Sequence, residues 1–267
     1  MLTKIQLTEE KETLLITLYA KALDYRSGHS ILHDKAADEI LRNLNIDPAK
    51  YQGYGHEAIV VRARQFDIWV REFLSKNDNA IVLNLGCGLD TRYVRIQPPA
   101  SVDWYDLDYP EVIELRKEFY SMRPGYHMIA SSVTEPGWIN DLPRHRPVMI
   151  VAEGLFEYLE EDAVKAVLHR LTEHFPHGSI AFDVMSSFAI RSGQARLKNE
   201  FNAVHKWAVD RVSDVDKLNP GMQRVAAISP FSFSRTKGLS GSRRALFGVL
   251  ALVPSFRNML RVLCYRF

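Results

Sequence analysis

The chain has 267 residues, with 34 basic and 32 acidic side chains and a formal charge of +2, too little to make nucleic acid or an anionic membrane surface the expected partner. Hydrophobic residues at 46% and charged residues at 25% exclude a disordered chain and suit a folded α/β unit able to bury a full core. Two distant cysteines, Cys87 and Cys264, give neither a disulfide framework nor a paired-cysteine metal pattern. Met1 to Glu10 lacks the apolar stretch of a secretion signal. The most apolar late run, Ala245 to Val253, is far shorter than the roughly 20 residues of a membrane span. The expectation is a cytoplasmic protein, monomer or homodimer, with no membrane or metal partner.

Residues 1–79 predict a helical opening. Thr8 followed by Glu9 and Glu10 reads as a helix start, and Leu14, Leu15, Leu18, Ala22 and Tyr25 recur at helical spacing. Ala36 to Leu44 predicts a second helix, stopped before Pro48. After breaks at Gly53 and Gly55, His56 to Leu74 predicts a third, with Ile59, Ala63, Phe66, Val70 and Phe73 as its apolar stripe.

From residue 80 to 185 strands and helices alternate, the pattern of a parallel sheet with crossovers. The predicted strands are Ala80 to Leu85, Val102 to Leu107, Tyr126 to Ala130, Pro147 to Ala152 and Ser179 to Val184. Helices are predicted over Pro110 to Tyr120, with proline in the first turn, and over Glu160 to Phe175. The last third predicts a helix over Phe188 to Arg211 and a turn at Asn219-Pro220-Gly221. Late strands are expected near Val225 to Ile228 and Leu260 to Phe267. Ser234 to Ser242 reads as a basic, solvated loop.

The first strand ends in Gly86-Cys87-Gly88. Glycine there allows positive φ and close backbone approach to a ligand, and ligands of doubly wound sheets bind outside the carboxyl ends of the strands. Cys87 is read as a small residue in this tight turn. Asp106 and Asp108 follow Gly88 by 18 and 20 residues, where a ribose is held through its hydroxyls. Two nucleosides fit: a nicotinamide dinucleotide or S-adenosylmethionine. Thr91 stands where the dinucleotide fingerprint has its third glycine, which argues against the dinucleotide.

The stretch Asn84-Leu85-Gly86-Cys87-Gly88-Leu89-Asp90-Thr91-Arg92 resembles the cofactor loop of the leucine carboxyl methyltransferases and of their bacterial relatives, the tetracenomycin-type polyketide O-methyltransferases. Ile31 to Ala37, Arg62 to Asp67, Trp104 to Pro110, Glu153 to Leu159, Leu218 to Gly221 and Phe256 to Phe267 resemble other segments of that family. The resemblance implies a class I methyltransferase fold: a Rossmann-like sheet, mostly parallel with a late antiparallel strand. Residues 1–79 would form a helical lid over a catalytic core at 80–267, the two making one compact unit. It implies S-adenosyl-L-methionine as cofactor and S-adenosyl-L-homocysteine as product. Gly86, Cys87 and Gly88 would face its methionine part. Asp108, with Asp106 as its close second, would hold the ribose; Ser132 and Val133 would lie beside the adenine. Glu153 would sit near the amino end, and Arg62 would pair with the carboxylate through its planar fork. Lys21 is the candidate for a second cation there.

Methyl transfer from a sulfonium leaves the protein to supply position and a dry site. A carboxylate acceptor is already ionised at neutral pH and needs no base, whereas a phenol benefits from one. No telling His-Asp or Lys-Asp spacing is present, which is compatible with a carboxylate and leaves a phenol open. Tyr25, Arg26 and His29 are the candidates to border the acceptor, with Arg26 orienting its carboxylate. The family favours a small polyketide-like acid, with a protein carboxyl terminus as runner-up. Outside that class stand a nicotinamide-dependent oxidoreductase and a non-catalytic nucleoside-binding protein.

Overall fold

The structure, a computed structural model, describes residue 3, residues 7–231 and residues 241–267. A short 3-10 turn, Glu9–Thr13, leads into α1 (Leu14–Arg26), α2 (Lys35–Asn43) and α3 (His56–Leu74). Then follow β1 (Ile81–Leu85), α4 (Arg92–Ile96), β2 (Asp103–Asp108), α5 (Pro110–Lys117), β3 (Tyr126–Ala130), β4 (Val148–Ala152), α6 (Glu161–His174) and β5 (Gly178–Met185). The last third holds α7 (Ser187–Phe201), α8 (Val212–Val215), β6 (Gln223–Ile228), α9 (Gly241–Leu250), α10 (Pro254–Arg257) and β7 (Leu260–Arg266).

The strands form one seven-stranded sheet in the order β3-β2-β1-β4-β5-β7-β6. β1 pairs in parallel with β2 on one side and with β4 on the other, so Leu85 sits between Leu107 and Ala152. The connections therefore diverge at the carboxyl end of β1, which opens a crevice there. β7 runs antiparallel to both β5 and β6, the expected late antiparallel strand. β1 and β4 are buried along their whole length, as strands covered on both faces must be.

The sheet separates two apolar layers. Val82, Met149 and Val151 pack with Leu15, Leu18, Ile59 and Phe66 of the N-terminal helices. Ile81, Leu83, Val148 and Ile150 pack on the opposite face with Val164, Val167, Leu168 and Leu171 of α6. Each fully buried aliphatic or aromatic side chain contributes roughly 1.5–3 kcal/mol by leaving water.

Two sequence expectations are corrected. The helix expected over Phe188 to Arg211 ends at Phe201, because Asn202 turns left-handed (φ 53°) and its N–H caps the Lys198 carbonyl at 2.9 Å. Residues 202–211 then run without helix or strand and bury Ala203, Trp207 and Val209. Thr8 makes no side-chain cap, and a 3-10 turn precedes the first helix. Of the basic stretch Ser234 to Ser242, residues up to Ser240 lie outside the described residues, while Gly241 opens α9. Among the described residues no helix is long and apolar enough to cross a membrane.

Candidate active site

A cavity of about 500 Å3 opens at the carboxyl end of β1, between the sheet and the N-terminal helices. That size suits a small-molecule ligand. Gly86 and Gly88 form its floor with φ of 60° and 49°, a region that glycine enters without strain. A Cβ on Gly86 would lie 2.9 Å from Leu155 Cδ1, and one on Gly88 would lie 3.1 Å from Leu14 Cβ. Cys87 also lines the floor and donates its N–H to the Leu107 carbonyl at 3.0 Å. Burial pushes its thiol well up, which leaves it a neutral, small filler of the turn.

Asp108, at the end of β2, faces this floor. Its carboxylate accepts the Gly88 N–H at 2.7 Å and the Tyr109 N–H at 2.8 Å. Burial outweighs these bonds and raises its pKa to about 6. At neutral pH it is a half-buried anion with acceptor capacity left over, the chemistry a pair of ribose hydroxyls would satisfy.

Asp106 has a different role from the one expected. Two residues apart on one strand, the two acids start toward the same face, yet they meet different partners. Asp106 is fully buried outside the cavity, where it accepts from Arg116 Nη2 (2.6 Å), Tyr126 Oη (2.6 Å), Asn84 Nδ2 (2.9 Å) and Trp104 Nε1 (3.0 Å). Arg116 in turn donates from Nη1 to the Gly88 carbonyl at 2.9 Å. Asp106 therefore holds the arginine that fixes the glycine loop and has no free face for a ribose.

Glu153 and Arg62 do line the cavity, but they meet each other. Arg62 bonds Glu153 at 3.2 Å and Asp183 at 2.7 Å. Asp183 also accepts the Gly154 N–H at 2.8 Å. Glu153 is paired as well with Arg92, which bonds Asp67 at 2.8 Å. Asp90 takes Lys21 at 2.6 Å and Arg92 at 2.7 Å, while Arg95 bridges Asp34, Asp67 and Asp90. Burial works to raise the pKa of Glu153, yet Lys21, Arg62 and Arg92 together hold it at about 2. The balance is the same at Asp90, where Arg92, Lys21 and Arg95 overcome burial and keep the carboxyl well below its usual range. In this network Asp34, Asp67, Asp90, Glu153 and Asp183 outnumber Lys21, Arg62, Arg92 and Arg95. Of these groups Lys21, Arg62, Asp90, Arg92 and Glu153 line the cavity, so it presents both signs of charge to a ligand.

The tail Leu89 to Arg92 thus has a physical meaning that spacing did not show. Asp90 and Arg92 fasten α1 and α3 to the glycine loop, and Thr91 hydrogen-bonds Asp34, the N-cap of α2. Sequence reasoning missed Asp34, Asp67, Asp90, Arg92, Arg95 and Asp183 as site-building residues. The signal available was charge in otherwise apolar segments, since buried charges must be paired.

Five other expected residues are moved. Ser132 and Val133 stand outside the cavity lining; Ser132 bonds Thr134 at 2.8 Å, and Val133 is buried in the second apolar layer. Tyr109 lines the cavity on that side instead, beside Leu14 and Val112. Tyr25, Arg26 and His29 also lie outside it. Arg26 pairs with Asp38 of α2, and His29 is exposed in the turn after α1. The reason is position along the helix: α1 turns Leu14, Thr17 and Lys21 to the cavity, and Tyr25, one turn past Lys21, is no longer in its lining, while Arg26 meets Asp38. The outer part of the cavity is walled by Tyr54, Ala58, Ile59, Met185, Ala189, Leu197, Phe231, Met259 and Leu260, with Glu157, Tyr158 and His205 among them.

The sheet order, the glycine loop after β1 and the acid after β2 that faces it define a class I methyltransferase, and S-adenosylmethionine is the cofactor that the residues fit. The chain belongs to the leucine carboxyl methyltransferase family, whose pattern it matches over residues 6–172. It is 38% identical over 222 residues to the tetracenomycin polyketide synthesis O-methyltransferase of Streptomyces glaucescens, covering 82% of each chain. It is 29% identical over 249 residues to an S-adenosyl-L-methionine-dependent methyltransferase of Gibberella zeae, again covering 82% of each. Its fold is similar to that of a crystal structure from Thermobifida fusca YX described as a candidate methyltransferase, with a TM-score of 0.63 at 16% identity and 94% coverage of both chains.

Proposed function

We propose that the protein esterifies the carboxylate of a small, largely apolar acid of the polyketide kind, with S-adenosyl-L-methionine as methyl donor. When bound, the cofactor supplies an activated methyl group on a sulfonium. Asp108 accepts the ribose hydroxyls, Gly86 to Gly88 give backbone against its methionine part, and Tyr109 flanks the adenine. Lys21 and Arg62 are the cations near the amino-acid end, already steadied by Asp90, Glu153 and Asp183. α1 and α3 exclude water from the transfer, which is the lid role assigned to residues 1–79. The same reading takes the protein as cytoplasmic, a monomer or homodimer, with no nucleic-acid partner.

The carrying observation is one continuous cavity that runs from Gly86 and Asp108 to an apolar wall of Ile59, Met185, Phe231, Met259 and Leu260. The similarity to a polyketide O-methyltransferase supports an acceptor of that class. A carboxylate needs no base, and the imidazole in the lining suits that: burial lowers the His205 pKa to about 4, a poor base for a phenol at roughly 10. A hydroxyl acceptor is the second reading, favoured by Glu157, whose carboxyl lines the cavity. Incubation with methyl-labelled cofactor and a panel of aromatic acids and phenols tests the choice. Methyl esters release methanol in mild base; ethers that resist base would overturn the carboxylate reading.

A further inference from the structure

The acceptor end of the cavity carries two buried polar atoms with no hydrogen-bond partner, Glu157 Oε2 and His205 Nδ1. Glu157 is 5% exposed. An orphaned buried polar atom costs the desolvation of that group, so such atoms are rare and call for a ligand or a water. Here two of them line one cavity, and the fold brings them together. Glu157 lies in the 3-10 turn Phe156–Tyr158 after β4. Its carbonyl accepts the N–H of Lys206 at 2.7 Å and of Trp207 at 3.3 Å, which ties the turn to the irregular segment bearing His205. The ring of Tyr158 stands 5.0 Å from that of His205.

We propose that Glu157, as an un-ionised acid, donates its carboxyl proton in a hydrogen bond to one oxygen of the acceptor's carboxylate, with His205 as the second polar contact. The other carboxylate oxygen is then left free to face the methyl group. The inference rests on the carboxylate-acceptor reading. The charged and titratable groups facing Glu157 are Arg62 from α3, Glu153 at the end of β4, Asp183 on β5 and Tyr158 beside it, with His205 in the same cavity lining. Arg62 is committed to Glu153 and Asp183, so it does not hold Glu157 as an anion. Burial first, and Asp183 next, raise the Glu157 pKa to about 8. Both orphans are thus neutral at neutral pH. A neutral donor accepts an anionic guest without repulsion, whereas an ionised Glu157 would reject it.

The test is calorimetric binding of 2-naphthoate to protein saturated with S-adenosylhomocysteine, with neutral 2-naphthamide as control. Between about pH 7 and about pH 9 the wild-type affinity for naphthoate falls about tenfold, as the acid ionises, while the affinity for naphthamide holds. In Glu157→Gln the amide donates at every pH, so naphthoate binds with one affinity across that range. In Glu157→Ala it binds weakly at both ends. Naphthoate affinity that does not change with pH in the wild type, or that falls equally in Glu157→Gln, overturns the proposal; so does failure of the wild type to bind naphthoate at all. The wild-type comparison stands alone if a variant does not fold. Enzyme that makes base-labile esters but shows no such pH dependence refutes this inference only. Base-stable ethers refute the acceptor reading itself, whatever naphthoate does.

Discussion

At the scale of single residues, Asp108 has the most direct consequence for the cofactor. Its folded pKa of about 6 lies above the ordinary value of 3.8, so the native state takes up a proton more readily than the unfolded chain. Its ionised form costs stability, and that cost appears as pH rises from about 4 through about 6. Ribose hydroxyls bond best to the ionised form. Affinity for S-adenosylhomocysteine should therefore drop by up to about tenfold per pH unit below about pH 6. Asp108→Asn should weaken binding at neutral pH by about tenfold or more, the scale of a charge-assisted hydrogen bond, and abolish the acid limb. An acid limb that persists in the variant would assign it to another group. Gly86→Ala imposes a left-handed backbone on a side chain and sets a Cβ 2.9 Å from Leu155 Cδ1. The cost should be roughly 1–2 kcal/mol, seen as a lower melting temperature together with weaker cofactor binding.

At the scale of elements, the joint between the N-terminal helices and the sheet is ionic where it meets the cavity and apolar elsewhere. Asp67 of α3 takes Arg92 at 2.8 Å and Arg95 at 2.7 Å, and both arginines are almost wholly buried. Breaking a buried pair costs about 3–5 kcal/mol; the low end applies to Asp67, because Arg92 keeps Asp90 and Glu153 and Arg95 keeps Asp34 and Asp90. Asp67→Ala should thus lower the melting temperature by roughly 6–12 °C or more, given roughly 2–4 °C per kcal/mol at this chain length. Arg26 and Asp38 offer the contrast, since Arg26 has 41% of its side chain exposed. Arg26→Ala should change acceptor kinetics little, because the side chain is outside the cavity; a large rise in acceptor KM would restore it to the acceptor site.

At the scale of the whole molecule, the cavity draws on both halves of the chain. Thr17, Lys21 and Arg62 come from the helices, Gly86, Asp108 and Glu153 from the sheet, and Met185, Leu197 and Leu260 from the last third. Ligand binding should therefore stabilise the molecule as one unit. S-adenosylhomocysteine at about 100 times its Kd should add about 2.7 kcal/mol and raise a single melting transition by several degrees. NAD at the same concentration should leave it unmoved, since Thr91 Oγ1 is occupied with Asp34 and Arg95 at the place where a dinucleotide fold needs a glycine. Two separate transitions, with only one shifted by the ligand, would show that the lid and core do not form one compact unit.

The amino-acid sequence by itself determined the alternation of elements, because periodicity is local: α3 and β3 begin and end where their residues predict, His56–Leu74 and Tyr126–Ala130. It also determined the glycine loop, the acid at Asp108 and, through the tail Leu89 to Arg92, the family. What it did not contain was the direction in which each side chain points and the partner it meets. Asp106 and Asp108 stand two residues apart and look alike in sequence, yet one is consumed by Arg116 and the other faces the cavity. Arg26 and Lys21 share one helix, and only Lys21 reaches Asp90. Asp90 and Arg92 read as family markers until tertiary packing made them the ionic joint between the N-terminal helices and the glycine loop. A buried charge is defined by partners brought from far along the chain, and those distances exist only in the folded molecule. The glycine loop could thus be read from its own residues, while the apolar wall of the cavity, built by segments more than a hundred residues apart, could be read only from the fold.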